Sequence, residues 1–153
     1  MKTRQALHRG GCQCGKVRYA LYAEPGNAHI CHCRMCQKAF GSLFAPLASV
    51  SYEDFAWTRG DPGIFRSSEI VERGFCRDCG TPLSFRYTEK DNINISLGSL
   101  DDPASVRPER QFGIESRVPW FGDLPGLTGS RTEDDIPGDF ISRLASRQHP
   151  DHD

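Results

Sequence analysis

The chain has 153 residues, a formal charge of −1, 37% hydrophobic and 25% charged residues, enough for one domain with its own core and too short for two. Basic and acidic residues are interleaved, which excludes the charge footprint of a dedicated nucleic-acid binder, and no apolar run approaches the roughly 18 residues of a membrane span. The basic stretch from Met1 to Arg9 leads into no apolar signal core, so the expected compartment is the reducing cytosol, where clustered cysteines serve as metal ligands or redox groups rather than as disulfides.

Cys12-Gln13-Cys14 comes first, and the residues after it alternate: Val17, Tyr19 and Leu21 share one side of a half-buried strand spanning 15–22. Glu24-Pro25-Gly26-Asn27 reads as a turn. It is followed by Cys31-His32-Cys33-Arg34-Met35-Cys36, three thiols within six residues, and by a short helical turn over 37–42 ended by Gly41. Leu43 to Val50 reads as a strand bent at Pro46. The stretch 51–63 is expected to be turn and loop, with Phe55 and Trp57 reaching the core.

Residues 64–68 and 69–75 read as two short strands, the second feeding Cys76-Arg77-Asp78-Cys79. Two more alternating segments, 82–87 and 92–97, follow, and 110–117 is expected to add a last strand. Many short strands punctuated by Gly and Pro predict a mainly antiparallel β domain. Residues 119–126 suit an ordered aromatic loop. Ile136, Phe140, Ile141 and Leu144 recur at helical spacing and predict a short amphipathic helix near the C-terminus, with 149–153 frayed. The expected organisation is a single domain, its core at about 10–125 and an appendage at 126–153.

Three groups hold all seven cysteines. Seven thiols cannot all pair as disulfides, but they divide into a set of four and a set of three. In zinc chemistry four protein ligands make a closed structural site, and three leave a position for water or substrate. Cys76-x-x-Cys79-Gly80 has the spacing of a zinc knuckle, with Gly80 free to take a positive φ. Cys12 and Cys14, if extended, present both sulfurs to one face. Pairing these groups gives a structural site of Cys12, Cys14, Cys76 and Cys79, and leaves Cys31, Cys33 and Cys36 around a second, open zinc that would activate a small thiol. Spacing alone does not exclude Cys31, Cys33, Cys76 and Cys79 as the set of four, leaving Cys12, Cys14 and Cys36, or a single structural zinc with three idle thiols.

The motifs Gly11-Cys12-x-Cys14-Gly15-x-Val17-x-Tyr19, Cys31-His32-Cys33-x-x-Cys36-x-Lys38 and Phe75-Cys76-x-x-Cys79-Gly80-Thr81-Pro82-Leu83 together resemble the glutathione-dependent formaldehyde-activating enzyme family, the CENP-V/GFA domain. The resemblance runs from about Gly10 to Trp120. It implies an Mss4-like, zinc-stabilised β fold and the four-plus-three division of ligands given above. It also implies a carbon–sulfur lyase that condenses glutathione with formaldehyde to S-hydroxymethylglutathione.

An anionic thiol substrate calls for cations near the open site. Arg34 and Lys38 flank the central cysteines and are the expected substrate contacts; Arg73 and Arg77 flank the knuckle. His32 is expected to point away from the metal, with proton transfer as its candidate catalytic role. Trp120 and Phe121 are candidates for an apolar wall. The rival expectation is a non-enzymatic zinc module used for binding.

Overall fold

The computed structural model describes residues 4–153. The alternation of Val17, Tyr19 and Leu21 produces strand β2 (Arg18–Leu21), which lies between β1 (His8–Gly11) and β5 (Phe55–Arg59) in an antiparallel three-stranded sheet. The stretch expected to be loop thus contains a full strand. In register, Leu21 stands opposite Phe55 and Tyr19 opposite Trp57, and the three rings pack together. Cross-strand aromatic pairing, invisible within the segment itself, decides its conformation.

A second sheet holds the other seven strands: β3 (Gly26–Cys31), β4 (Ala45–Ser51), β6 (Gly63–Ser68), β7 (Val71–Phe75), β8 (Pro82–Tyr87), β9 (Asn92–Ser96) and β10 (Arg110–Phe112). Their order is β10-β3-β4-β9-β8-β7-β6, antiparallel throughout except where β10 runs parallel to β3. Gly26 and Asn27, read as turn, open β3 instead, with Asn27 at φ 47° beside an irregular pairing. Pro46 sits in β4 one residue before its pairing to β9 begins at Leu47, so its missing N–H costs no bond on that side.

The two faces of the large sheet do different jobs. Ala48, Val50, Ile93 and Ile95 join Val17, Tyr19, Leu21 and Phe55 of the smaller sheet in one buried cluster. Alternate residues of the same strands, Leu47, Asn92 and Asn94, face a cavity on the opposite side. A register shift where β7 meets β8 lets Leu83 enter the inter-sheet core while Phe85, two residues on, borders the cavity.

Helix α1 (Arg34–Phe40) follows the central cysteines and closes on Gly41 at φ 57°, its N–H bonding the carbonyls of Gln37 and Lys38. Near the C-terminus the helical spacing yields two single turns, α2 (Thr132–Asp135) and α3 (Gly138–Ile141), separated at Pro137. Phe140 and Leu144 stay exposed there.

Two expectations fail in the tail and in β2. The last residues do not fray: the His149 N–H donates to the Gln13 carbonyl at 2.7 Å, and Asp153 pairs with Arg9 at 2.6 Å and with Arg18 at 3.1 Å. Strand β2 is buried on both faces, because Arg18 lies under the tail and is held bidentately by Asp101 at 2.7 and 2.6 Å.

Candidate metal centre

Cys12, Cys14, Cys76 and Cys79 come together with all four sulfurs within 4.8 Å of one another. Two loops of similar build present them. In one, the Gly15 N–H bonds the Cys12 carbonyl at 3.0 Å; in the other, the Gly80 N–H bonds the Cys76 carbonyl at 2.9 Å. Both glycines take the left-handed conformation, at φ 77° and 78°, which turns each loop back on itself. Cys12 and Cys14 therefore meet through a tight turn, not through the extended segment expected from their spacing.

Sulfurs placed tetrahedrally at about 2.3 Å from one ion stand about 3.8 Å apart. The Cys12–Cys14 and Cys14–Cys76 separations are 3.5 and 3.7 Å, so the donor set fits a metal ion. Further N–H and O–H groups surround the sulfurs, as thiolate ligands require: Val17 N–H reaches Cys12 Sγ at 3.3 Å and the Thr81 hydroxyl lies 3.2 Å from Cys79 Sγ.

Cys31, Cys33 and Cys36 form a separate cluster, again with sulfurs within 4.8 Å. Cys31 ends β3, Cys33 caps α1, and Cys36 lies one turn on, its N–H pointing to Cys33 Sγ at 3.4 Å. Gly113, at φ 66°, lies so close that a Cβ there would stand 2.8 Å from the Cys33 nitrogen. The Cys36 thiol is held down to about 5 by donation from the Cys31 thiol, with Arg73 acting in the same direction against the effect of burial. Cys31, the donor of that bond, is pushed upward. The structure thus gathers the seven thiols as a group of four and a group of three, with no cysteine shared between them.

The three-thiol cluster borders a cavity of about 490 Å³ on the outer face of the large sheet. Leu47, Ile70, Val71, Phe85, Tyr87 and Phe112 make it largely apolar, while His29, Arg73 and Lys90 supply basic groups; none of its lining residues is a carboxylate. Of the four-thiol set, Cys12 borders a small cleft of about 150 Å³ beneath the tail.

The expected substrate contacts lie elsewhere. Arg34 is exposed and bonds Gln37 at 2.7 Å, Lys38 is exposed, and Trp120 is 49% exposed; none lines the cavity. Charged residues on the outer side of a two-turn helix point to solvent even when the helix carries cysteines. His32 is fully buried away from the sulfurs, with Nε2 at 2.9 Å from the Gln111 side-chain oxygen and Phe121 packed edge-on at 4.8 Å.

Arg73, read as a companion of the knuckle, instead reaches the three-thiol cluster. It is 6% exposed, and its Nη2 donates to Cys36 Sγ at 3.5 Å. Nε donates to Ser67 Oγ at 3.1 Å, and the guanidinium lies 4.9 Å from the centre of the Phe85 ring. The signal was present in the sequence: Arg73 alternates with Val71, so a period-two strand turns both to one side.

These features define a β domain with a four-cysteine cluster and a cavity-facing three-cysteine cluster, each able to hold a metal ion. The family model of the glutathione-dependent formaldehyde-activating enzyme matches residues 7–116, and the chain belongs to that family. A Schizosaccharomyces pombe protein named as an uncharacterized lyase is 31% identical over 130 residues, 84% of this chain and 93% of the relative. A Podospora anserina protein with the provisional name of glutathione-dependent formaldehyde-activating enzyme is 31% identical over 83 residues, 53% of this chain and 38% of that protein. Among solved structures, a Rhodobacter sphaeroides protein superposes with a TM-score of 0.55 at 21% identity, covering 67% of this chain and 98% of its own, a likeness of fold.

Proposed function

We propose that the protein is a zinc-dependent carbon–sulfur lyase that condenses glutathione with formaldehyde to S-hydroxymethylglutathione. Zinc at Cys12, Cys14, Cys76 and Cys79 would be structural, and zinc at Cys31, Cys33 and Cys36 would leave one position free for substrate. The observation that carries the reading is the joining of that three-thiol cluster to a cavity lined by basic side chains and no carboxylate. Zinc bound there would supply a cation that keeps an incoming thiol in its thiolate form at neutral pH.

The chain's own groups supply the rest. Lys90 and His29 offer partners to the carboxylates of glutathione, and Phe85, Leu47 and Val71 form an apolar lining that limits competing water. Free thiols in both clusters suit a reducing compartment, the cytosol.

The test is to load the protein with zinc and follow S-hydroxymethylglutathione formation against the spontaneous rate. The reading expects an excess over background that Cys36→Ser abolishes while one zinc per chain is retained. No excess with both sites filled would refute it and leave a zinc module used for binding.

A further inference from the structure

Among the described residues no carboxylate pairs with Arg73, although it is almost wholly buried. Its Nε and Nη2 have partners in Ser67 and Cys36, while Nη1 is buried with none. A buried guanidinium with an unmade hydrogen bond is costly, and such a group calls for an explanation. Charge balance with the sulfurs accounts for Nη2 and leaves Nη1 unexplained.

We infer that the Arg73 guanidinium, one N–H of which is left unpaired, turns to donate to the carbonyl oxygen of the aldehyde, stabilising the negative charge that develops there as the thiol adds. This role rests on the reaction proposed above. Arg73 lines the cavity that the three-thiol cluster borders, and its Nη2 touches Cys36 Sγ, so the guanidinium lies beside the reacting end of a substrate held at that cluster. Ser67 and the Phe85 ring hold the guanidinium plane in place before reaction, which is what electrostatic stabilisation of a developing oxyanion requires.

In the step, the substrate thiolate gives an electron pair to the carbonyl carbon, and the carbon–sulfur bond forms as the carbonyl π pair moves to oxygen. The alkoxide takes a proton from water, and the proton released when the thiol ionised restores the balance. A guanidinium keeps its own proton, so Arg73 contributes charge and direction, not acid catalysis.

Zinc-loaded Arg73→Met and Arg73→Lys test this with four readouts: kcat above the spontaneous rate, glutathione affinity by calorimetry without aldehyde, zinc per chain, and Tm. The expected result for Arg73→Met is a kcat loss of about 100-fold, with glutathione affinity changed less than about threefold and both zincs retained. Arg73→Lys should recover a small part, since one ammonium cannot serve sulfur and oxygen together. If Arg73→Met fails to fold, Ser67→Ala, which frees the guanidinium, should lower kcat about tenfold at unchanged zinc content. A kcat within about threefold of wild type, or an activity loss matched by loss of the second zinc, overturns the inference while leaving the reaction intact. Absence of catalysis by the wild type overturns both.

Discussion

Cys76→Ser and Cys33→Ser each remove one sulfur, yet the consequences should differ because the two clusters span such different lengths of chain. The four-thiol cluster brings Cys14 to Cys76 across 62 residues, joining the turn before β2 to the β7–β8 hairpin. Treated as a cross-link that restricts the unfolded chain, closure of that span is worth about 4 kcal/mol. At about 2–4 °C per kcal/mol for a domain of this size, Cys76→Ser should lower Tm by about 8–16 °C. The three-thiol cluster lies within one short segment, so the unfolded chain can hold a metal there nearly as well and the folded state gains little from it. Cys33→Ser should therefore cost under about 1 kcal/mol while removing the second zinc. Thermal melts paired with zinc counts on both variants measure this. Equal falls in Tm would refute the reasoning and mark both clusters as structural.

Asp101→Ala should destabilise by about 3 kcal/mol, because it strips Arg18 of its bidentate partner inside the fold; adding Arg18→Met should restore part of the loss in denaturant titrations. Gly113→Ala should lower zinc occupancy of the three-thiol cluster, since both the positive φ and the approach to Cys33 forbid a Cβ, whereas Gly122→Ala, which meets nothing, should leave the zinc count unchanged. Burial raises the Asp153 carboxyl, but Arg18 and Arg9 lower it further, so it ends below the ordinary aspartate range. A group depressed on folding stabilises above its unfolded value and loses that contribution as pH falls through the folded one. The tail should thus release below about pH 4, seen as faster hydrogen exchange at the His149 amide while β9 stays protected.

The alternation of Val17, Tyr19 and Leu21 and of Ile93 and Ile95 was enough to tell which side of each strand is buried, because a strand's period is local and survives in any context. Cys76-x-x-Cys79-Gly80 and the helix stop at Gly41 were legible for the same reason: each is a turn whose requirements lie within a few residues. Pairing the groups into four and three was one of several divisions allowed by spacing, and the approach of Cys14 to Cys76 exists only across the fold. The strand at Phe55–Arg59 was missed because its stability comes from β2, a partner far away in sequence. Alternation tells which face Arg18 and Arg73 share with their neighbours, but neither carries a local sign of which element will cover it. Asp101 and the tail bury one, and Phe85 with the sulfur of Cys36 buries the other. Local pattern determined which faces are apolar and where the thiols lie; long-range packing determined which charges lost their water, and it is those that shape the site.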